Sequence, residues 1–241
     1  MRATEFEFRT RFIFIMGFYV LGFLCYAWDH VTVAVMLTEW LRRRPMQSAQ
    51  DRHLLQVILG LGTALALVAA LLRTWAAAYL RSEVVHDFDL HGEKLVADGP
   101  FRYVRNPLYL GGILFSVGFA LAASRLGYVV IVGGLTLFFF RLIAREEALL
   151  AATQGETYRQ YLKVVPRMIP SLRPRVAAGG TAPRWAQAVT GETFMWLFAV
   201  ALACFAATLN SKLLQVLVIA GASASVLAKI ALRRGKRAPA R

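Results

Sequence analysis

Apolar positions in this chain gather into long runs instead of alternating singly with polar ones. Uncharged apolar runs near 20 residues are the pattern of membrane-spanning helices. The first stretch covers residues 12–41 and is interrupted by Asp29 and His30. It predicts either one long tilted helix or a helix followed by a short apolar return, with Asp29 and His30 at a turn on the membrane surface. Arg42-Arg43-Arg44-Pro45 ends it. Residues 54–72 form a second span, and the helical pattern continues to Tyr79. A polar segment fills 81–106. A third span is expected at 108–123 and the core of a fourth at 128–140, joined by the tight turn Ser124-Arg125-Leu126-Gly127. Residues 141–164 read as a helix charged on one side, closed by Pro166, Pro170 and Pro174. Two further runs, 194–209 and 213–232, predict a C-terminal hairpin of spans.

The fold class is therefore all-α, a polytopic membrane helical bundle. The expected organisation is an N-terminal membrane part over 1–53 and a core over 54–175. The core has spans at about 54–80, 108–123 and 127–144 and a cytosolic helix at 145–164. A linker over 176–191 and a hairpin with a basic tail over 192–241 complete it. No internal repeat is visible.

Composition supports this reading. Of the 241 residues 58% are hydrophobic, against roughly 45–50% in soluble domains. The net charge of +14 comes from basic residues between and beyond the apolar runs. That distribution fits the positive-inside rule and anionic lipid headgroups. No basic helix interleaved with aromatics stands apart from the spans, so nucleic acid is not an expected partner. The tail Arg233-Arg234-Gly235-Lys236-Arg237 is expected in the cytosol, in a multi-pass protein of the cytoplasmic (inner) membrane. Counting back puts 141–190 inside, 124–127 outside and 81–107 inside. The two largest polar segments then share one face. Arg42, Arg43 and Arg44 fall outside if the first stretch is one span; a hairpin there moves the N-terminus outside instead.

Cys25 and Cys204 lie in apolar runs without metal-ligand spacing and are expected to be free thiols. No small-residue cleavage pattern closes the run that begins at Phe12, which reads as a retained span. The run from His86 to His91 has no recognised ligand spacing, and no metal is expected. No strand precedes Gly60-Leu61-Gly62, so a soluble dinucleotide fold is not supported; this pair, Gly111-Gly112 and Gly133-Gly134 fit close helix packing.

Two segments carry candidate chemistry. In the first, Gly99-Pro100 is a turn, Pro107 stands near the first turn of the third span, and Asn106 is positioned to cap it. Arg102 and Arg105 are suited to a carboxylate or a lipid phosphate. In the second, Arg141, Arg145, Glu146 and Glu147 continue an apolar helix, followed by Tyr158, Tyr161 and Val165-Pro166-Arg167. Glutamates at a helix mouth gain nothing from lipid. Facing a polar cavity, one can accept hydrogen bonds from ribose hydroxyls or an amino group.

Taken together, in order and about 40 residues apart, these segments resemble the isoprenylcysteine carboxyl methyltransferase family and, more loosely, the phospholipid methyltransferases. The similarity runs from about Arg73-Thr74-Trp75 to Pro170. The resemblance implies a helical membrane bundle with a cytosolic cofactor pocket formed by the helix after the span and the polar segment between spans. It implies S-adenosyl-L-methionine as cofactor and an apolar tunnel open to lipid. It also implies that His86, the stretch Glu93-Lys94-Leu95-Val96, Phe101, Asn106-Pro107-Leu108-Tyr109 and Glu146 line the cofactor site.

Two positions depart from the family pattern. Asn106 stands where histidine is usual, and asparagine does not titrate near neutral pH. Leu142 stands where the eukaryotic enzymes carry an arginine facing the substrate carboxylate. Arg141 and Arg145 flank it and are expected to face the acceptor, although neighbouring helix positions diverge by about 100°. The expected function is methyl transfer to a lipophilic carboxylate, thiol or amine, with membrane lipid as surroundings and a lipophilic small molecule or lipid-linked acceptor as partner. The competing readings are a membrane NADPH-dependent reductase of the sterol-reductase type and a non-catalytic membrane scaffold. The C-terminal residues carry no prenylation signal.

Overall fold

The computed structural model describes residues 2–80 and 97–235, with side chains as far as residue 225. The architecture is an all-α bundle. A short helix α1 (Glu5–Arg9) begins at a capping box between Thr4 and Glu7. Helix α2 (Arg11–Leu24) tightens into a 3-10 turn at Cys25–Ala27. The chain then turns where Asp29 accepts from the Val31 amide, and Thr32 caps α3 (Val33–Arg42) through the Val35 amide.

Ser48 and Asp51 form a second capping box at the start of α4 (Ala49–Tyr79). At 1.5 Å per residue α4 is about 46 Å long, longer than the roughly 30 Å hydrocarbon core. Its first turns therefore stand beyond the bilayer on one side, and α3 packs there, with Ala34 against Leu55, Ile58 and Leu59. Helix α5 (Pro107–Phe119) follows, then α6 (Arg125–Thr153), whose first turns include a π-helical stretch at Val129–Gly133. Gly155, at φ 60°, breaks the chain into α7 (Gly155–Val164). Helices α8 (Trp185–Gly191) and α9 (Thr193–Thr208) meet at a 57° bend, and α10 (Ser211–Gly235) returns.

Helices α4 and α6 are long and apolar enough to cross a membrane, and the bent pair α8–α9 makes a third candidate. The segments Arg11–Ala27, Pro107–Ala122 and Ser211–Ser225 are apolar but shorter. Lipid offers little hydrophobic drive between helices, so close packing of small residues holds them together. Gly62 of α4 and Gly118 of α5 cross so closely that a Cβ on either would overlap the other's carbonyl. Ala66, Ala69 and Ala70 of α4 meet Phe115 and Phe119 of α5 and Met195, Ala199 and Leu202 of α9.

The structure shows the course of the first apolar stretch, which the sequence left open. The 12–41 stretch is broken at Asp29, as its polar pair predicted, but α3 packs on the start of α4 and does not return along α2. The Ala3 amide donates to the Arg141 carbonyl at 3.1 Å, so the N-terminus lies at the same end of the bundle as the charged end of α6. Arg42 and Arg44 lie at the opposite end, where both pair with the fully buried carboxylate of Asp51 at 3.5 and 3.1 Å. Asp51 offsets part of the positive charge at that end.

The expected linker, 176–191, makes specific contacts. It contains α8, the Arg184 amide donates to the Ala78 carbonyl, and the Gly179 and Thr181 amides donate to Asp98 at 2.6 and 2.8 Å. Finally, Arg73 forks onto Glu192 at 2.7 and 3.0 Å while Trp196 donates to Thr74, which ties the C-terminal hairpin to α4.

Candidate functional site

The charged end of α6 meets the start of α5 and the segments on either side of it. Gly99 opens this region. Its φ of 57° and its position against the Tyr79 ring both exclude a side chain. The 3-10 turn Gly99–Arg102 then brings Phe101 over α7, where its carbonyl accepts from the Tyr161 hydroxyl at 2.8 Å. Pro107 takes the first helical position of α5 without loss of a donor. One turn in, Tyr109 packs against Phe139 of α6 at 5.4 Å between ring centres.

The Tyr109 hydroxyl donates to Glu146 Oε1 at 2.7 Å. This bond joins α5 to α6 in a half-buried setting, and leaves the second carboxylate oxygen of Glu146 to accept from another donor. Glu147 faces a different way. Its carboxylate, 14% exposed, takes Arg167 Nη2 at 2.6 Å, Arg105 Nη1 at 3.3 Å and the Asn106 amide at 3.4 Å. Asn106 also donates to the Arg167 carbonyl at 3.1 Å, and the Arg105 amide donates to the Pro166 carbonyl at 2.9 Å. The adjacent glutamates thus part by role, because one helical residue is a rotation of about 100°.

Asn106 occupies the N-cap position of α5 but makes no side-chain cap hydrogen bond. The predicted capping role is corrected. Its amide N–H groups satisfy Glu147 and the Arg167 carbonyl, which are more demanding acceptors in a partly dry site. Arg105 likewise has an internal carboxylate partner, and Arg102 donates to the Val176 carbonyl at 2.9 Å.

Arg141 and Arg145 are both engaged by the N-terminal segment. Arg141 pairs with Glu7 at 2.8 Å. Arg145 donates to the Ala3 carbonyl at 3.1 Å, reaches Glu5 at 3.4 Å and stacks 5.5 Å from the Phe8 ring. Leu142, between them, is fully buried. His86, Glu93, Lys94, Leu95 and Val96 lie outside the described residues. Phe101, Asn106, Pro107, Leu108, Tyr109 and Glu146 are gathered at one end of the bundle, and Arg73 Nη1 donates to the Leu108 carbonyl at 2.9 Å.

Several members of this neighbourhood had no motif to reveal them. Arg73, Glu192 and Asp98 have partners 119, 119 and 81 or more residues away in sequence. Asp98 is 4% exposed. Burial raises its carboxyl, but hydrogen bonds from Thr181 and Gly179 outweigh that, and its pKa lies below the ordinary carboxylate value. Tyr158 and Tyr161 of α7 are pushed well above the usual phenol range by burial and stay protonated donors. Among the described residues no group of three metal-ligating side chains occurs. A shallow depression of about 390 Å³ lies at the other end of the bundle, between His53, Gln56 and Gly60 of α4 and Ala203, Ala206 and Ala207 of α9, and holds no carboxylate.

Part of the chain is similar to known proteins. Residues 57–157 match the model of the phospholipid methyltransferase family. The chain is 36% identical over 77 residues to the protein-S-isoprenylcysteine O-methyltransferase of Schizosaccharomyces pombe, a match covering 32% of this chain and 33% of that protein. The chain therefore spans about a third of the length of that curated relative. No solved structure matches the chain. These findings support the resemblance to the isoprenylcysteine carboxyl methyltransferase family read from the sequence, and the matched stretch includes α5, its Tyr109, and Glu146 on α6.

Proposed function

With residues 57–157 carrying the phospholipid methyltransferase family pattern, we propose that this membrane protein transfers a methyl group from S-adenosyl-L-methionine to a lipophilic carboxylate, thiol or amine. The observation that carries the reading is the Tyr109–Glu146 hydrogen bond, which fixes a half-buried carboxylate at the charged end of the bundle. The donor set suits such a cofactor. Glu146 Oε2 can accept from a hydroxyl or ammonium group, Phe101 offers an aromatic face, and a carboxylate lowers the energy of a nearby sulfonium. His86 and the stretch Glu93-Lys94-Leu95-Val96 belong to the same proposed site by resemblance.

The cofactor, when bound, supplies an activated methyl group with its leaving group already in place. The chain's own residues then bind, orient and exclude water. Glu146 holds the cofactor side, with Tyr109 fixing its rotamer. Glu147 acts differently: its ion pairs with Arg105 and Arg167 lock the 99–107 turn against the 166–167 segment and so hold Asn106 and Pro107 in place. With Glu7 on Arg141 and Ala3 on Arg145, an anionic acceptor would have to share these arginines with the N-terminal segment. No covalent enzyme intermediate is required.

Thermal unfolding of the detergent-solubilised protein tests the reading. Stabilisation by S-adenosylhomocysteine and none by NADPH is expected. Stabilisation by NADPH alone would support a reductase, and stabilisation by neither would support a scaffold.

A further inference from the structure

The segment after α7 carries the most exposed large apolar side chains at this end of the bundle. Leu172 is fully exposed and Ile169 is 81% exposed. In water such residues cost free energy in proportion to their area, and a rigid pair of them marks a contact surface. The segment is not a loose loop. The Arg105 amide holds the Pro166 carbonyl at 2.9 Å, the Ser171 amide donates to the Tyr103 carbonyl at 3.0 Å, and the Arg175 amide donates to the Arg102 carbonyl at 2.8 Å. Pro170 and Pro174 stiffen it further. Exposure of Ile169 and Leu172 is therefore built in.

Its height relative to the membrane follows from α4. Leu61, Val68, Leu71 and Trp75 are exposed to 68%, 53%, 58% and 36% and recur at helical spacing, which makes them the lipid-facing stripe of a spanning helix. Trp75 ends that stripe one turn before the helix ends, where interfacial aromatics belong. The Tyr103 ring packs 6.1 Å from the Trp75 ring, and Tyr103 holds Ser171. Leu172 is thus tethered to a residue at the membrane boundary. Arg173 and Arg175 beside it are exposed, with no ion pair among the described residues. Trp185, half exposed, follows Arg184, which is bonded to the end of α4.

We propose that residues 168–175 form an interfacial anchor: Ile169 and Leu172 enter the headgroup–acyl boundary of the bilayer, and Arg173 and Arg175 pair with anionic headgroups. Apolar side chains on a rigid frame beside exposed arginines match that boundary in both chemistry and sign. Because Arg167 at the start of the segment grips Glu147, the anchor also fixes how the charged end of α6 faces the lipid. The proposal holds whether or not the chain transfers methyl groups.

The test is site-directed spin labelling of the full chain in liposomes. Leu172→Cys and, as an aqueous reference, the exposed Ala178→Cys are each labelled on a background with Cys25→Ala and Cys204→Ala. Collision with oxygen is expected to exceed collision with a water-soluble nickel chelate at 172 and to fall below it at 178. Equal nickel access at both positions would overturn the proposal. Replacing anionic by zwitterionic lipid should lower the inserted-to-withdrawn ratio by about fivefold per arginine, and an unchanged ratio would overturn the headgroup part. If the cysteine-free background does not fold, Leu172→Trp in the natural chain gives a second readout. Brominated acyl chains should quench its added fluorescence; quenching by aqueous iodide instead would overturn the anchor.

Discussion

The Tyr109 hydroxyl donates to Glu146 across 2.7 Å and so ties the first turn of α5 to the point where α6 leaves its apolar stretch. The pair explains why an adjacent glutamate doublet is useful here. Glu146 turns toward Tyr109, while Glu147 neutralises two arginines. Exchange of either residue should therefore give a different failure.

Tyr109→Phe keeps the ring against Phe139 and removes one donor to a partly buried carboxylate. A loss of stability of about 1–3 kcal/mol is expected. Thermal unfolding in detergent measures it, with Phe139→Leu as a packing control. A change within error of zero would mean that Glu146 finds another donor.

Glu147→Ala leaves Arg105 and Arg167 without their carboxylate in a site where Arg105 is 14% exposed. The expected cost is about 3 kcal/mol, the lower end for a broken buried pair because Arg167 is 39% exposed. Arg167→Ala alone should cost less, since Arg105 and Asn106 still hold Glu147. Unfolding midpoints of the two variants check the order.

Arg73→Lys should detach the C-terminal hairpin more than its conserved charge suggests. Lysine cannot form the fork on Glu192 and reach the Leu108 carbonyl at once. A loss of about 2 kcal/mol is expected. A double-mutant cycle with Glu192→Gln should show strong coupling, and additive losses would contradict the link.

Asp98 gives a pH dependence of known sign. Its folded pKa lies below the ordinary value, so its contribution is complete above the unfolded pKa, about 4. The contribution is lost only as pH falls through the lower folded value. Hydrogen-exchange protection of the Gly179 and Thr181 amides should therefore persist slightly below the ordinary carboxylate range and collapse at more acidic pH. Asp98→Asn should weaken that protection at neutral pH.

The apolar runs made α4 and α6 legible as spans, and paired motifs made Tyr109 and Glu146 legible as candidates, because those signals are local. Direction and partner choice were not local. The split between Glu146 and Glu147 depends on helix rotation. The hold of Glu7 on Arg141 spans 134 residues of sequence, and that of Gly179 on Asp98 spans 81. The packing of α3 on the start of α4 brings Arg42 and Arg44 to the buried carboxylate of Asp51, a pairing that charge counting alone does not reveal.

The proposed cofactor site depends on Glu146, and calorimetric titration of the purified protein with S-adenosylhomocysteine measures that dependence. Saturable binding by the natural chain, lost in a folded Glu146→Ala variant, is the predicted result. No binding by well-folded natural protein, or equal binding by the variant, would contradict the claim.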